Sequence, residues 1–209
     1  MAFEEEGLIY NQNSSNSIGE EGDRKDPEWN KLNCKELGIS TSMIAKSTRK
    51  VLNGLKRKGY DVYLVGGCVR DLILKRTPRD FDIITSAELK EVMKTFSWCT
   101  IIGKRFPICM FTWMVPLWRF RVLVLLAGGS RDFTINGLMF DPYTRTVYDY
   151  IGGIEDIRKS KVRSINPATT SFKEDCARIL CGIRIAARLG FGISKETARS
   201  VKKNYLSQY

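Results

Sequence analysis

The sequence predicts an α+β fold, a small mixed sheet with helices that runs on into further helix. Three observations predict it. Short apolar runs such as Tyr60–Val65, Phe81–Ile84 and Cys99–Ile102 alternate with segments whose apolar residues recur at helical spacing. The connections are irregular in length, unlike those of a regular doubly wound sheet. The 209 residues suffice for one domain with a sizeable core plus a small extension.

Taken in order, residues 1–38 are polar, with Asn-Ser-Ser-Asn-Ser and Gly-Glu-Glu-Gly runs, and read as a disordered tail. Ser40 or Thr41 caps a helix reaching about Lys58, with Ile44, Val51, Leu52 and Leu55 inward. Lys46, Arg49, Lys50, Lys56, Arg57 and Lys58 make its other side basic, either a solvated face or a surface for RNA. Gly59 ends that helix. Tyr60–Val65 is the first strand, Cys68–Leu74 a helix, Thr77-Pro78 a turn and Phe81–Ile84 the second strand. Ser86 caps a helix through Lys94, with Leu89, Val92 and Met93 inward, and Cys99–Ile102 is a third strand. Leu138–Phe140 and Thr146–Asp149 form a hairpin around Asp141-Pro142. Residues 151–158 make a short helix. Ser171 to about Leu189 is one long helix, with Phe172, Cys176, Ile179, Leu180, Ile183 and Ala187 on one side. Gly190 stops it, and Ser194 caps a last helix.

The formal charge of +11 points to an anionic partner, most simply nucleic acid. The chain has no histidine, which excludes a His-based triad, imidazole acid–base steps and His-ligated zinc. Its six cysteines form no close pair and read as reduced thiols. The acidic start, Met-Ala-Phe-Glu-Glu-Glu, resembles neither a secretory nor a transit peptide, so cytosol or nucleus is the default expectation. The apolar stretch Phe106–Ala127 is interrupted by Pro116, Arg119 and Arg121, so no membrane span is expected. No apolar seam marks an oligomer.

One stretch concentrates the chemistry: Leu64-Val-Gly-Gly-Cys-Val-Arg70-Asp-Leu-Ile-Leu-Lys-Arg-Thr-Pro-Arg-Asp80-Phe-Asp82. Residues i and i+2 of a strand share a face, so Asp80 and Asp82 face one pocket while Phe81 faces the core. Two carboxylates on one face repel unless a cation lies between them, and oxygen ligands of this kind suit Mg²⁺ shared with phosphates. Gly66 and Gly67 bare backbone N–H groups where a helix opens, a place suited to phosphate. Arg70 either reaches a phosphate or pairs with Asp71 or Asp80. Three readings stay open at this level: phosphoryl transfer on a nucleoside triphosphate, a nucleotide binder without chemistry, and a charge-laced turn.

The motifs taken together resemble the class II tRNA nucleotidyltransferases, or CCA-adding enzymes, and the related bacterial-type poly(A) polymerases; their wording is nearest to plant members. Leu64–Asp82 resembles the family's Leu-Val-Gly-Gly-x-Val-Arg-Asp … Asp-x-Asp. Arg131-Asp-Phe-Thr-Ile-Asn136-Gly-Leu resembles Arg-Arg-Asp-Phe-Thr-x-Asn-Ala-Leu, and Asp149-Tyr-Ile-Gly-Gly153-Ile-Glu-Asp156 matches the segment that follows. Glu174-Asp175-Cys-Ala-Arg178-Ile-Leu-Cys-Gly-Ile-Arg184 resembles Glu-Asp-Pro-x-Arg-x-Leu-Arg-Ala-x-Arg-Phe. The resemblance implies a polymerase-beta-like head over 39–170 and the start of a helical neck over 171–209. It also implies addition of nucleotides from ATP or CTP to an RNA 3′ end, tRNA foremost, with two Mg²⁺ ions on Asp80 and Asp82. Gly66, Gly67 and Arg70 would contact the triphosphate. Arg131, Asp132 and Asn136 would position the nucleotide, and Arg178 and Arg184 would hold the neck against the pocket.

The chain also departs from the family. A further carboxylate is expected on the strand after Gly103-Lys-Arg-Phe106, yet no Asp or Glu lies between Glu91 and Asp132. Read one base earlier, with an admissible choice of codons, Met110–Val122 becomes His-Val-His-Met-Asp-Gly-Ala-Ile-Val-Glu-Val-Ser-Ser, which restores it. A frameshift or misplaced exon boundary across 110–130 is therefore expected. That stretch either misfolds or still forms strands through tolerance of sequence. Ser130 replaces the family's first Arg of Arg-Arg-Asp-Phe. The family's base-selecting helical motif is not found before Tyr209, so weak base selection is expected. Besides an active transferase, the sequence leaves open a catalytically impaired nucleotide or RNA binder, and a chain that never folds.

Overall fold

The structure, a computed structural model, describes residues 30–103, 108–112, 119–124 and 131–206. Ten strands are described: β1 (Asn30–Asn33), β2 (Val62–Val65), β3 (Asp80–Thr85), β4 (Cys99–Ile102), β5 (Ile108–Thr112), β6 (Arg119–Val124), β7 (Met139–Asp141), β8 (Thr146–Asp149), β9 (Lys161–Val162) and β10 (Gly192–Ile193). Seven α-helices accompany them: α1 (Lys46–Arg57), α2 (Gly67–Ile73), α3 (Leu89–Thr95), α4 (Gly153–Arg158), α5 (Ala168–Glu174), α6 (Ala177–Leu189) and α7 (Lys195–Leu206).

Eight strands make one sheet in the order β1-β8-β7-β2-β3-β6-β5-β4. Each pairing is antiparallel except that of β3 with β6, so the sheet is mixed as expected. β9 and β10 form a separate parallel pair. β3 lies between β2 and β6, with Phe81, Ile83 and Thr85 buried on one face and, on the other, Asp82 buried and Asp80 exposed. The core gathers Leu64, Phe81, Ile83, Phe111, Phe140 and Val147 from the sheet, with Val51, Leu52 and Leu55 from α1.

Three expectations need correction. Asn30–Asn33, assigned to the disordered tail, adds an edge strand to β8, and Cys34 and Ile39 behind it are buried. Polar composition hid it because edge pairing is made by backbone groups, not by an apolar side-chain pattern. Residues 1–29 lie outside the described residues.

The expected single helix from Ser171 to Leu189 is two. Asp175 is extended (φ −151°, ψ 103°), and its Oδ1 accepts from Ala177 N at 2.9 Å to open α6. The break resets the helical phase, so Cys176, Leu180, Ile183 and Ala187 are exposed, and Gly182, Ala186 and Leu189 are buried instead. Gly182 is needed there: a Cβ would stand 2.7 Å from Phe133 Cζ. The third correction concerns Ser86. Its Oγ accepts from Asp61 N at 2.9 Å, and α3 begins after Glu88 instead.

Two smaller departures concern α1 and α3: Ser40 caps a separate helical turn, Thr41–Met43, so that α1 opens only at Lys46, and Met93, expected inward, is exposed. Cys99–Ile102 and Thr146–Asp149 are strands as expected, Gly190 ends α6 in the left-handed conformation, and Ser194 Oγ accepts from Thr197 N to open α7. β6 forms within the aberrant stretch and β5 runs into it, with Cys109 just before the stretch and Phe111 inside it both buried. No helix among the described residues is long and apolar enough to cross a membrane.

Phe81 couples the core to the opposite face of β3, because its burial fixes which way Asp80 and Asp82 point. Phe81→Ala is expected to cost about 3–5 kcal/mol, read as a lowered denaturation midpoint.

Candidate active site

A cavity of about 370 Å³ opens beside the front of β3, lined among others by Gly67, Arg70, Asp80, Asp82, Arg131, Asn136 and Arg184. Seven of the ten residues expected from the sequence thus meet in one place, from four separate stretches of chain. Asp82 is buried at 6% exposure and Asp80 is exposed at the strand's start. Their shared face follows from the pleat, and Phe81 between them is buried on the other side.

Gly66 leads β2 into α2 with φ +80°, a conformation that favours glycine. It does not line the cavity wall, but its bare Cα borders it: a Cβ would lie 3.2 Å from Arg131 Cζ. Arg131 Nη1 in turn stands 3.6 Å from Asp82 Oδ2.

Arg70 is buried and held by three hydrogen bonds. Its Nε and Nη2 donate to Asp71 Oδ1 at 2.9 and 2.6 Å, and its Nη1 donates to Asn136 Oδ1 at 2.5 Å. Of the pairings open for Arg70, the structure shows Asp71. Asn136 is held by a chain of polar contacts. Asp149 at the end of β8 accepts from Gly153 N and Ile154 N at 2.9 and 2.8 Å, opening α4. Asp156 on α4 accepts from Thr134 Oγ1 at 2.6 Å and from Arg163 Nε at 2.8 Å. Thr134–Asn136 is a single helical turn, so fixing Thr134 fixes Asn136.

Asp132 and Arg178 lie apart from the cavity wall. They pair with each other, Arg178 Nε 3.1 Å from Asp132 Oδ1, and Arg178 Nη1 also donates to Ser171 O and Oγ at 3.1 and 2.9 Å. The pair ties α6 to the turn that carries Phe133. Arg184 lines the cavity and donates weakly to Cys181 Sγ.

The sequence reading assigned no role to Arg188, which lines the cavity one helical turn after Arg184, with Nη2 3.5 Å from Asp71 Oδ2. The i, i+4 spacing of the two arginines was the available signal. Arg79 also lines the cavity, giving five arginines against three aspartates. Arg76, next to them in sequence, donates to Arg188 O and Leu189 O at 3.1 and 3.3 Å, closing the end of α6.

On the other side of β3, β6 runs parallel with Arg119 opposite Asp80 and Arg121 opposite Asp82. Neither β5 nor β6 contributes a carboxylate.

A glycine-led turn, paired aspartates on the adjoining strand and an arginine-rich cavity define a nucleotidyltransferase head. Residues 62–117 and 129–163 match the family model described as the poly A polymerase head domain. Poly(A) polymerase I of Escherichia coli is 32% identical over 207 residues, covering 85% of this chain and 44% of that protein. The CC-adding tRNA nucleotidyltransferase of Halalkalibacterium halodurans is 34% identical over 167 residues, covering 76% and 43%. The crystal structure of the Bacillus stearothermophilus CCA-adding enzyme in complex with CTP matches with a TM-score of 0.66 at 30% identity, covering 77% of this chain and 44% of that one. The chain belongs to this family of poly(A) polymerases and CCA-adding enzymes. It spans under half the length of these relatives.

Cys68 lines the cavity but is itself buried, and burial pushes its thiol up to about 12. Cys176 is exposed. Alkylation of the native chain at neutral pH is therefore expected to modify Cys176 and spare Cys68 until denaturant is added, as read by peptide mass spectrometry.

Proposed function

We propose that this chain is the catalytic head of an RNA nucleotidyltransferase, drawing on ATP or CTP and acting on an RNA 3′ end, tRNA foremost. The observation that carries the reading is the placement of Asp80 and Asp82 on one face of β3 at an arginine-lined cavity. The names of the relatives support it: a poly(A) polymerase, a CC-adding tRNA nucleotidyltransferase and a CCA-adding enzyme in complex with CTP. In this reaction the RNA 3′-oxygen attacks the α-phosphorus, the α–β phosphate bond breaks, and pyrophosphate leaves.

Asp80 and Asp82 suit a hard divalent ion: both are carboxylates, they share a face, and they border the same cavity. Two Mg²⁺ held there would supply activation of the 3′-hydroxyl and charge neutralisation on the leaving pyrophosphate. The remaining work belongs to the chain. Arg70, pinned by Asp71 and Asn136, offers a fixed guanidinium edge at the cavity wall. Gly66 and Gly67 put no side chain in front of Arg131 and Arg70, which leaves room for phosphates. Arg184 and Arg188 bring positive charge from α6. Asp132 and Arg178 hold α6 in place, in keeping with α5–α7 as the start of the neck.

A second reading, nucleotide binding with impaired transfer, draws on β6. The strand beside Asp80 and Asp82 carries Arg119 and Arg121 in register with them and no acid. The same observation sustains the reading of a shifted frame across 110–130. Sequencing the transcript over codons 105–132 is expected to show a one-base offset; an uninterrupted read matching this protein refutes a sequence error.

The decisive assay is Mg²⁺-dependent incorporation of labelled ATP or CTP into RNA. Asp80→Ala and Asp82→Ala are each expected to lower it by about a hundredfold or more with the melting transition retained. Activity unchanged in both variants refutes the assignment. Calorimetric binding of ATP or CTP without incorporation selects the second reading.

A further inference from the structure

We infer that Arg131 is a resident counter-ion of Asp82, and that a divalent cation enters this site by displacing it. The inference rests on reading Asp80 and Asp82 as the metal-holding pair.

The geometry carries it in three parts. First, Arg131 Nη1 is 3.6 Å from Asp82 Oδ2, and Asp82 keeps only 8% of its side chain exposed. A carboxylate so buried gains from a cation at contact distance. Second, the guanidinium lies over Gly66, where a Cβ would meet its Cζ, Nη1 and Nη2 at 3.2–3.3 Å. The glycine at φ +80° therefore makes the berth as well as the turn. Third, Arg131 keeps 34% of its side chain exposed, whereas Arg70 is locked by three hydrogen bonds to Asp71 and Asn136. Of these two guanidinium groups, only Arg131 is placed to leave without breaking a buried network.

Charge decides the order of events. With five arginines against three aspartates, the cavity is positive before any ion arrives. A divalent ion added on top of the Arg131–Asp82 contact meets net repulsion. Moving the guanidinium off Asp82 takes one positive charge away from the carboxylate as the ion approaches. The long side chain can then turn toward an anionic phosphate, so metal and triphosphate favour each other through one arginine.

The test is Mn²⁺ titration of the whole chain by electron paramagnetic resonance, in the absence of nucleotide. Arg131→Gln is expected to bind Mn²⁺ at least about tenfold more tightly than the wild type, and Arg131→Lys, which keeps the charge, to stay near it. Asp82→Asn is expected to abolish binding in either background. Equal or weaker Mn²⁺ binding by Arg131→Gln, with Asp82 still required, overturns the inference while leaving the metal pair standing. Binding that ignores Asp82→Asn overturns both. If Arg131→Gln does not fold, ¹⁵N NMR of the wild-type Arg131 Nε replaces it. Its resonance is expected to shift on addition of Mg²⁺ and return with chelator, and a static resonance through saturation overturns the inference.

Discussion

Two like charges held on one face of a central strand set the terms for everything around them. β3 is paired on both edges, and Asp82 is buried within it while Asp80 is exposed. The pleat that points Phe81 into the core points Asp80 and Asp82 the other way, so the core's packing enforces their proximity. A buried carboxylate without a positive partner is costly enough to shift its own protonation or unfold its surroundings. The arginines nearby are therefore a condition of the fold as well as a resource for anionic substrates.

The cavity's other wall comes from α6, more than ninety residues further along the chain, and its placement rests on packing more than on charge. Three contacts between α6 and the head are electrostatic: Arg178 with Asp132, Arg188 with Asp71, and Arg76 with the last carbonyls of the helix. Partly exposed ion pairs contribute about 0–1 kcal/mol each. Burial of a single aromatic ring contributes roughly 1.5–3 kcal/mol. The ring here is Phe133, fully buried, with Gly182 letting the helix backbone close on it. The packed contact sets the distance, and the arginines then set orientation and charge. Because Phe133 sits between Asp132 and Thr134, the same contact holds the turn that presents Asn136 to Arg70.

What the sequence made legible follows the range of each interaction. The Gly66–Asp82 stretch was readable because strand, turn and helix are local and their residues do several jobs at once. Arg70, Asn136 and the paired aspartates were reached by motif, and they meet in one cavity. Arg188 escaped because its partner, Asp71, is more than a hundred residues away. The face of α6 was misread for a local reason, since one extended residue, Asp175, broke the phase that Phe172 seemed to establish. The edge strand Asn30–Asn33 escaped because strand addition needs free backbone groups on β8, which nothing in its own side chains announces.

The strand β6 shows how far fold and chemistry can separate. Its pairing with β3 and β5 is made by backbone N–H and C=O groups, which any residue but proline supplies in full. A run of apolar and aromatic residues satisfies that requirement even without a carboxylate at the position where the family places one. Sheet order and register can then match those of an active relative while the ligand set beside Asp80 differs. Similarity of backbone therefore speaks for the architecture, and the charges set against Asp80 and Asp82 decide what the site can hold.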